Sequence, residues 1–432
     1  MAEFKERILS TITNTNEEVL GPFARKDDYL KHFKDMNPIT KKSPLFKNSP
    51  DGFFENFDYE VFPPNTPLPD VDIVPILSDF HPFLSTNTNR IVMLNGTLSL
   101  KNSNIISDGL KIEELSLQSS RVENEVERNF LNYYYGHETQ LSTANSLLSP
   151  DGTYVHIAEN AKIKEPIILL NIITKQDKNY FFNHRRFIEI SKNATANFYE
   201  CNIVLSSHKS VLVDISIASL SENANVTYSL INTNVNDKKD ASIIKGFGFT
   251  LKENAKLDTF SFHSGYNYER ERCQYMLDGK NSSVTITSFA QLYKNNIVDI
   301  ATDITHTATD TKSEQLAKVI VDDNSAFHFN GRIEVVPNAQ RTDSAQSSRA
   351  LLLSDDATVE FLPQLEINND DVACSHGAAI GQLDEDSLFY LNSRGIGTDE
   401  ARKLLLTAFA MEAINKSKLP DELKEHFAEL IS

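Results

Sequence analysis

The chain has 432 residues, of which 40% are hydrophobic and 24% are charged, an ordinary balance for a globular protein with a sizeable core. Its 42 Lys and Arg residues against 60 Asp and Glu residues give a net charge of −18. That excess of negative charge argues against a general grip on nucleic acid and against adhesion to an anionic membrane. No run approaches the roughly 18 consecutive apolar residues of a transmembrane helix.

The N-terminus and the cysteines together indicate a cytoplasmic protein. The first residues carry mixed charge, and no apolar signal core follows them. The three cysteines, Cys201, Cys273 and Cys374, are far apart in sequence and too few for a disulfide framework.

Residues 1–87 are predicted to form a helical and Pro-rich N-terminal region. Phe4, Ile8 and Ile12 recur at helical spacing. A stretch rich in proline and aromatic residues follows, from Pro38 to Pro69. Prolines at that density exclude helix interiors and central strands, so we expect a connecting segment there.

Residues 88–382 have the pattern of short strands, with Val, Ile, Phe, Tyr and Thr alternating with polar residues. A motif of a charged residue, Asn or Asp, and a small residue recurs before these strands. Its central positions are Asn160, Asn193, Asn223, Asn254, Asn281, Asn324 and Asp356. Subtracting successive positions gives 33, 30, 31, 27, 43 and 32. Asn and Asp tolerate left-handed backbone geometry, so we expect corners at these positions.

A period of about 30 residues with strand character indicates a solenoid, because so short a unit must stack on its neighbours to bury a core. We therefore predict a mostly β protein, a right-handed parallel β-helix flanked by helical N- and C-terminal regions. A large sandwich or barrel with similar turns is the alternative.

The last region, residues 383–432, is predicted to be helical. Gly395 can end a first helix in the left-handed conformation. Thr398, followed by two acidic residues, can cap a second helix, and Pro420 stands where a first helical turn accepts it. Such helices can shield the last coil or present a face to a partner.

Motif searches favour a scaffold over an enzyme. The sequence has no phosphate-binding Walker loop, no dinucleotide fingerprint, no nucleophile elbow and no zinc-protease helix. Four residues are interpreted as structural parts of strand-like segments: His263, His306, Cys201 and Cys273.

Cys374 and His376 form the strongest candidate for metal chemistry. Two residues apart on a strand, their side chains would share a face and could offer ligands to iron, zinc or copper(I). Asp370 and Asp371 lie just upstream and could support them. The alternative is one buried thiol and one hydrogen-bonded histidine. Two ligands make an incomplete site, which a partner chain would have to finish.

Five segments occur in a fixed order: Gly331–Val335, Leu351–Ser354, Pro363–Ile367, Asp370–Ala378 and Phe389–Ile396. Together they resemble the SufB/SufD family of iron–sulfur cluster assembly proteins. The resemblance runs from about residue 88 to the end and is strongest over residues 306–410.

The resemblance implies a right-handed parallel β-helix with helical ends. It also implies a complex in which SufB, SufD and two copies of the ATPase SufC form one scaffold. The C-terminal helices would receive SufC, which alone would hydrolyse ATP. The β-helices of SufB and SufD would join at their C-terminal ends. A transient iron–sulfur cluster or iron would sit at that junction, with none expected in the isolated chain, which could form a homodimer.

Within the family the chain resembles the SufD branch more than SufB. It has the Cys-Ser-His-Gly-Ala run and the Phe-Tyr-Leu-x-Ser-Arg-Gly-Ile segment typical of SufD. SufB carries Glu where Gly377 stands, and usually has further cysteines before the position of Cys201. Ala379 departs from the threonine common in the family. A SufB-like paralogue remains the alternative within the family.

The resemblance makes His376 the first candidate for a cluster or iron ligand at the SufB junction, and Cys374 the second. The helical surface that meets SufC would comprise Phe389, Tyr390, Arg394 and Gly395. Simple packing onto the last coil is the alternative for the two aromatic residues.

Two alternatives belong to other classes of protein. One is a carbohydrate-active β-helix enzyme, which would need convergent carboxylates or basic residues in a groove. The other is a purely structural β-helix homodimer.

Overall fold

A computed structural model of the chain describes residues 3–14, 26–63, 66–73, 75–76, 88–118, 139–149, 151–233 and 240–431. Two ten-stranded sheets dominate it. The first sheet contains β1 (Glu60–Val61), β4 (Leu110–Glu114), β5 (Thr153–Ile157), β7 (Tyr180–Ile190), β9 (Ser210–Leu220), β11 (Ala241–Leu251), β13 (Tyr268–Leu277), β15 (Ile297–His306), β17 (Ala326–Val335) and β19 (Thr358–Ile367).

The second sheet contains β2 (Asn89–Leu94), β3 (Thr97–Leu98), β6 (Ile167–Ile173), β8 (Thr195–Val204), β10 (Asn225–Thr233), β12 (Lys256–Ser264), β14 (Ser283–Leu292), β16 (Lys312–Val321), β18 (Thr342–Leu352) and β20 (Val372–Gln382). Six helices are described: α1 (Phe4–Asn14), α2 (Lys26–Asp35), α3 (Thr139–Leu148), α4 (Glu385–Ser393), α5 (Thr398–Lys416) and α6 (Asp421–Leu430). None of the described helices combines the length and apolar character needed to cross a bilayer.

The chain winds as a parallel β-helix. From β5 onward, odd-numbered strands lie in the first sheet and even-numbered strands in the second, and each strand up to β18 pairs in parallel with the strand two places later. Seven such steps lead from β5 to β19. The predicted fold class is therefore confirmed, and parallel pairing excludes the sandwich or barrel alternative, whose sheets are antiparallel.

A ladder of asparagines lines one corner of the β-helix, where the chain passes from the first sheet to the second. Its members, all with positive φ, are Asn160, Asn193, Asn223, Asn254 and Asn281. Each side-chain amide from the second member onward donates to the carbonyl oxygen of the previous one, over N···O distances of 2.8–3.2 Å. Asparagine suits this corner because its short polar side chain tolerates left-handed backbone and bonds locally.

The predicted repeat is wrong in its last two members. Asn324 and Asp356 lie at the opposite corner, where the chain returns from the second sheet to the first. The asparagine corner continues instead with Asp310 and Arg341, which both have positive φ and are joined by an ion pair with an N···O distance of 2.6 Å. The irregular 43-residue interval thus marks a change of corner, because charged residues with the same backbone geometry replace asparagine there.

The space enclosed by the two sheets, here called the lumen, is filled by apolar side chains and by buried ionic groups, among them a network around Lys245. The Lys245 ammonium lies 2.7 Å from a Glu200 carboxylate oxygen and 3.0 Å from one of Asp214. Arg186 lies 3.4 and 3.5 Å from the same two carboxylates. Two cations thus balance two anions, which is the condition under which buried charges are tolerated.

The N-terminal segment packs on the outer face of the first sheet. Phe181 of β7 meets the rings of Phe4 and Phe57 edge-on, with centroids 5.6 and 5.5 Å apart. Lys47 forms an ion pair with Glu360 of β19, which ties this segment to the end of the β-helix. The predicted boundary at residue 87 borders residues 77–87, which lie outside the described part of the chain, and stays a prediction.

The helices α5 and α6 pack on the outer face of the second sheet. Phe427 stacks on Phe262 with ring centroids 4.5 Å apart. The buried Lys318 of β16 lies 3.8 Å from the centroid of the Phe409 ring and 2.6 Å from a carboxylate oxygen of Glu412. Both contacts tie α5 to the β-helix.

The asparagine corner leads to a stability prediction. Asn223→Ala should lower the free energy of unfolding by about 2 kcal/mol, because alanine loses the ladder bonds and, unlike asparagine, has no polar side chain to stabilise left-handed backbone. Asn223→Gly should lose less than about 1 kcal/mol, because glycine accepts that backbone. Urea unfolding measures both, and Asn225→Ala on the adjoining strand β10 is the control. Equal losses for the two variants at position 223 would show that the backbone conformation contributes nothing.

Candidate functional site

The β-helix ends in an uncovered winding formed by β19 and β20. Each is the last strand of its sheet, and in the described part of the chain nothing pairs with their outer edges. Apolar side chains are exposed on this winding, among them Leu362, Ile367 and Ile380, the last with half of its surface accessible. Exposed apolar side chains beside unpaired strand edges are features of surfaces that can pair with another chain.

Cys374 and His376 share the lumen-facing side of β20. Cys374 stands beside Ser344 of β18 and packs against the lumen core, while His376 stands beside Gln346. Because alternate residues of a strand point the same way, the two side chains lie at the mouth of the lumen. His376 is exposed and Cys374 is half-buried.

Cys374 and His376 are the two candidate metal ligands at the mouth among the described residues. The carboxyls of Asp370 and Asp371 belong to the exposed corner that precedes β20. Within the described ranges, no three His, Cys, Asp or Glu side chains converge as metal ligands would. Partial burial, together with the nearby carboxylate of Asp343, raises the pKa of the Cys374 thiol. The thiol is therefore protonated at neutral pH and would release its proton on binding a metal.

The helix α4 projects from the β-helix just after β20. Asp384 caps its start by accepting a hydrogen bond from the backbone N–H of Ser387 at 3.0 Å. No residue of α4 is buried. Gly395 ends it with φ of +88°, which confirms the predicted left-handed terminator.

The exposed face of α4 carries an aromatic pair. Phe389 has 75% of its surface exposed and Tyr390 has 56%. The alternative of packing onto the last coil is therefore wrong for both residues. The Arg394 guanidinium lies 5.1 Å from the centroid of the Tyr390 ring, a cation–π arrangement between residues one helical turn apart. The sequence analysis predicts that these aromatic residues and Arg394 meet a partner, which stays a prediction.

The two histidines interpreted as structural are buried and hydrogen-bonded. His306 bonds to the hydroxyls of Thr311 and Ser313 at 2.8 and 2.9 Å, and burial lowers its pKa to about 4. His263 is also buried, which opposes its charged form, but the carboxylates of Glu269 and Glu271 prevail and raise its pKa to about 10. The hydrogen bonds of both histidines are therefore made inside the fold, as the structural interpretation expects.

The other two cysteines lie in the core. Cys201 and Cys273 are buried, and burial raises the pKa of each thiol above its usual range. The lumen network around Lys245 was missed by sequence reasoning, because a charged residue inside an alternating strand looks like a solvated one. Gln346 was missed as well, because a polar residue inside an alternating strand also looks as if it faces solvent.

The fold defines a parallel β-helix protein whose open end carries two candidate ligands, beside a protruding helix with exposed aromatic residues. The SufBD core domain of the SUF system for FeS cluster assembly matches residues 172–409, more than half of the chain. The chain belongs to the SufB/SufD family of iron–sulfur cluster assembly proteins, and within it is of the SufD type.

Individual relatives agree with this assignment. The chain is 40% identical to the iron–sulfur cluster assembly protein SufD of Escherichia coli over 162 residues, 38% of either chain. It is 27% identical to a SufBD family protein of Synechocystis over 345 residues, 77% of this chain and 74% of the relative. It is 37% identical to the chloroplastic protein ABCI7 of Arabidopsis thaliana over 157 residues, 35% of this chain and 33% of the relative.

The buried His306 leads to a pH prediction. The unfolded histidine takes up a proton near pH 6.5, whereas the folded one resists protonation down to about pH 4. Its contribution to stability is therefore complete above pH 6.5 and falls by up to about 3 kcal/mol as the pH drops towards 4. Unfolding free energies at pH 7.5 and 5.0 measure this loss, which His306→Gln should reduce by about 2 kcal/mol. Parallel pH curves for the variant and the parent would contradict the prediction.

Proposed function

We propose that this chain is a non-catalytic scaffold subunit for iron–sulfur cluster assembly, and that it contributes His376 as a ligand at a junction with a SufB partner. The observation that carries the proposal is the position of His376. It stands on the lumen side of the last strand, at a winding whose outer edge has no partner in the described chain.

The form of the junction follows from the unpaired strands. The outer edges of β19 and β20 present backbone N–H and C=O groups that another strand can pair with. A second β-helix, ending in a similar open winding, would continue both sheets and close the lumen across the two chains. SufB, as the other member of the family, is the proposed partner. A homodimer of this chain would use the same edges when SufB is absent.

The chemistry of the mouth suits a cluster that is later released. Iron and sulfide are the cargo, and His376 would offer an imidazole nitrogen as a ligand. Cys374 would serve as a second ligand once iron displaces its thiol proton. Since this chain supplies at most two ligands, SufB would supply the remainder, and separation of the two chains would dismantle the site.

The helix α4 is the proposed docking face for the ATPase SufC. Exposed aromatic residues beside an arginine are the composition of interface hot spots, and α4 exposes Phe389 and Tyr390, the second of them in contact with Arg394. SufC closing on ATP would pull on α4 and α5. Because Lys318 and Arg349 of the second sheet both bind Glu412 of α5, that motion would reach the last windings and expose His376 to iron and sulfide.

Further features support this proposal over its rivals. The three unpaired cysteines suit the reducing cytoplasm, where we place the protein. Family membership favours an assembly role over a carbohydrate-active β-helix enzyme. The identity to SufD favours the SufD role over a SufB-like paralogue.

Substitution of His376 tests the ligand role. In a complex co-expressed with SufB and SufC, His376→Ala should lower bound iron and sulfide at least about tenfold, because a ligand is lost. Native mass spectrometry should still show the whole complex, since the side chain is exposed and supports no packing. His208→Ala, which changes an exposed histidine far from the mouth, is the matched control. An intact complex with unchanged iron would remove His376 from the mechanism.

Substitution of Phe389 tests the docking face. Phe389→Ala should weaken SufC binding by about 2 kcal/mol, roughly 30-fold, because a central aromatic anchor is removed. The fold should be unaffected, since three quarters of this side chain is exposed. Calorimetric titration of the chain with SufC gives the affinity. Leu117→Ala removes an equally exposed apolar side chain from the N-terminal half and should change nothing. SufC affinity equal to that of the parent would place the docking face elsewhere.

A further inference from the structure

One lumen row leads directly to the mouth. In register between successive strands of the second sheet, Gln315 of β16 stands next to Gln346 of β18, which stands next to His376 of β20. The Gln346 side chain is buried, with 3% of the residue exposed. Neither its amide nitrogen nor its amide oxygen has a hydrogen-bond partner in the described part of the chain.

The neighbouring Gln315 shows which hydrogen bond Gln346 lacks. One winding deeper, the Gln315 amide bonds across the lumen to the Thr302 hydroxyl, with an N···O distance of 2.9 Å. In the next winding Gly331 occupies the position of Thr302. A Cβ at position 331 would lie 1.8 Å from the amide nitrogen of Gln346. Gly331 therefore makes room for the amide but offers it no hydroxyl.

An unpaired buried amide weakens a fold, and leucine of the same size would avoid the cost. The inner neighbour of Gln346 in this row, Gln315, bonds to Thr302 and makes no hydrogen bond to the Gln346 amide. The next side chain toward the mouth is His376. An imidazole there can supply the donor that the amide oxygen lacks, and the strand spacing of about 4.8 Å allows the two groups to tilt together.

We infer that Gln346 is a positioning residue for His376. When the junction with the partner closes over the mouth, the amide oxygen of Gln346 accepts the N–H of one ring nitrogen of His376. That bond sets the tautomer and aims the lone pair of the other ring nitrogen at iron, as outer hydrogen bonds do for metal-binding histidines. The inference rests on the proposed function, because it gives His376 the task described there.

The first test uses the isolated full-length chain and no metal. Gln346→Leu should raise the melting temperature by about 1–2 °C, because it removes an unpaired buried amide without changing the side-chain size. The matched control is Gln315→Leu, which breaks a paired amide in the same row and should lower the melting temperature. A fall for Gln346→Leu equal to that of the control would show that the amide is already bonded within the lumen, and would overturn the inference.

The second test uses the complex co-expressed with SufB and SufC, loaded with Fe²⁺ and sulfide. Gln346→Leu should lower bound iron about tenfold, whereas Gln315→Leu should leave it unchanged. Gln346→Glu, which keeps an acceptor oxygen, should restore binding. With ¹⁵N-histidine labelling, the nitrogen coupling seen by pulsed electron paramagnetic resonance should weaken in Gln346→Leu, a change that loss of packing alone would not produce.

The outcomes separate the two proposals. If His376→Ala keeps its iron, the proposed function fails. If His376→Ala loses iron while Gln346→Leu keeps both its iron and its nitrogen coupling, only the positioning role of Gln346 is refuted. Loss of iron and of coupling in Gln346→Leu, with a raised melting temperature in the isolated chain, supports the inference.

Discussion

Parallel backbone pairing between successive windings is the constraint on which the rest of this structure depends. Each strand from β7 to β18 is held by the strand two places before it and the strand two places after it. A fold that grows in one direction must end in a winding with nothing above it, unless another chain supplies it. β20 is exposed because it is the last strand of its sheet, and His376 is accessible because it lies on β20.

The same register places chemistry inside the protein. Residues directly paired along a sheet form rows through the lumen, so one row can change from ionic to apolar as it passes from winding to winding. Lys245 lies in such a row between Asp214 and Glu271, while Ile300 and Phe329 follow further on. Toward the mouth, the row of Gln315 turns polar again and meets His376. The lumen is thus a packed core in which one row, that of Gln315 and Gln346, stays polar up to His376 at the mouth.

The two flanking regions use the outer faces and leave the open winding free. The N-terminal aromatic cluster around Phe181 covers the first sheet, and α5 covers the second through Lys318. Among the described helices, α4, next to the mouth, is the one that carries its aromatic side chains in solvent. In the proposed function, the surfaces for SufB and for SufC are therefore adjacent, and α5 connects them mechanically.

The sequence by itself determined the solenoid, the helical ends and the shared face of Cys374 and His376. These depend on local properties: an asparagine in left-handed backbone about every 30 residues, alternation along a strand, and capping residues such as Gly395. The tertiary structure decided the change of corner after Asn281, the exposure of Phe389 and the unpaired amide of Gln346. Each depends on which residue faces which across the lumen or beyond the last winding, and one-dimensional spacing cannot encode that register.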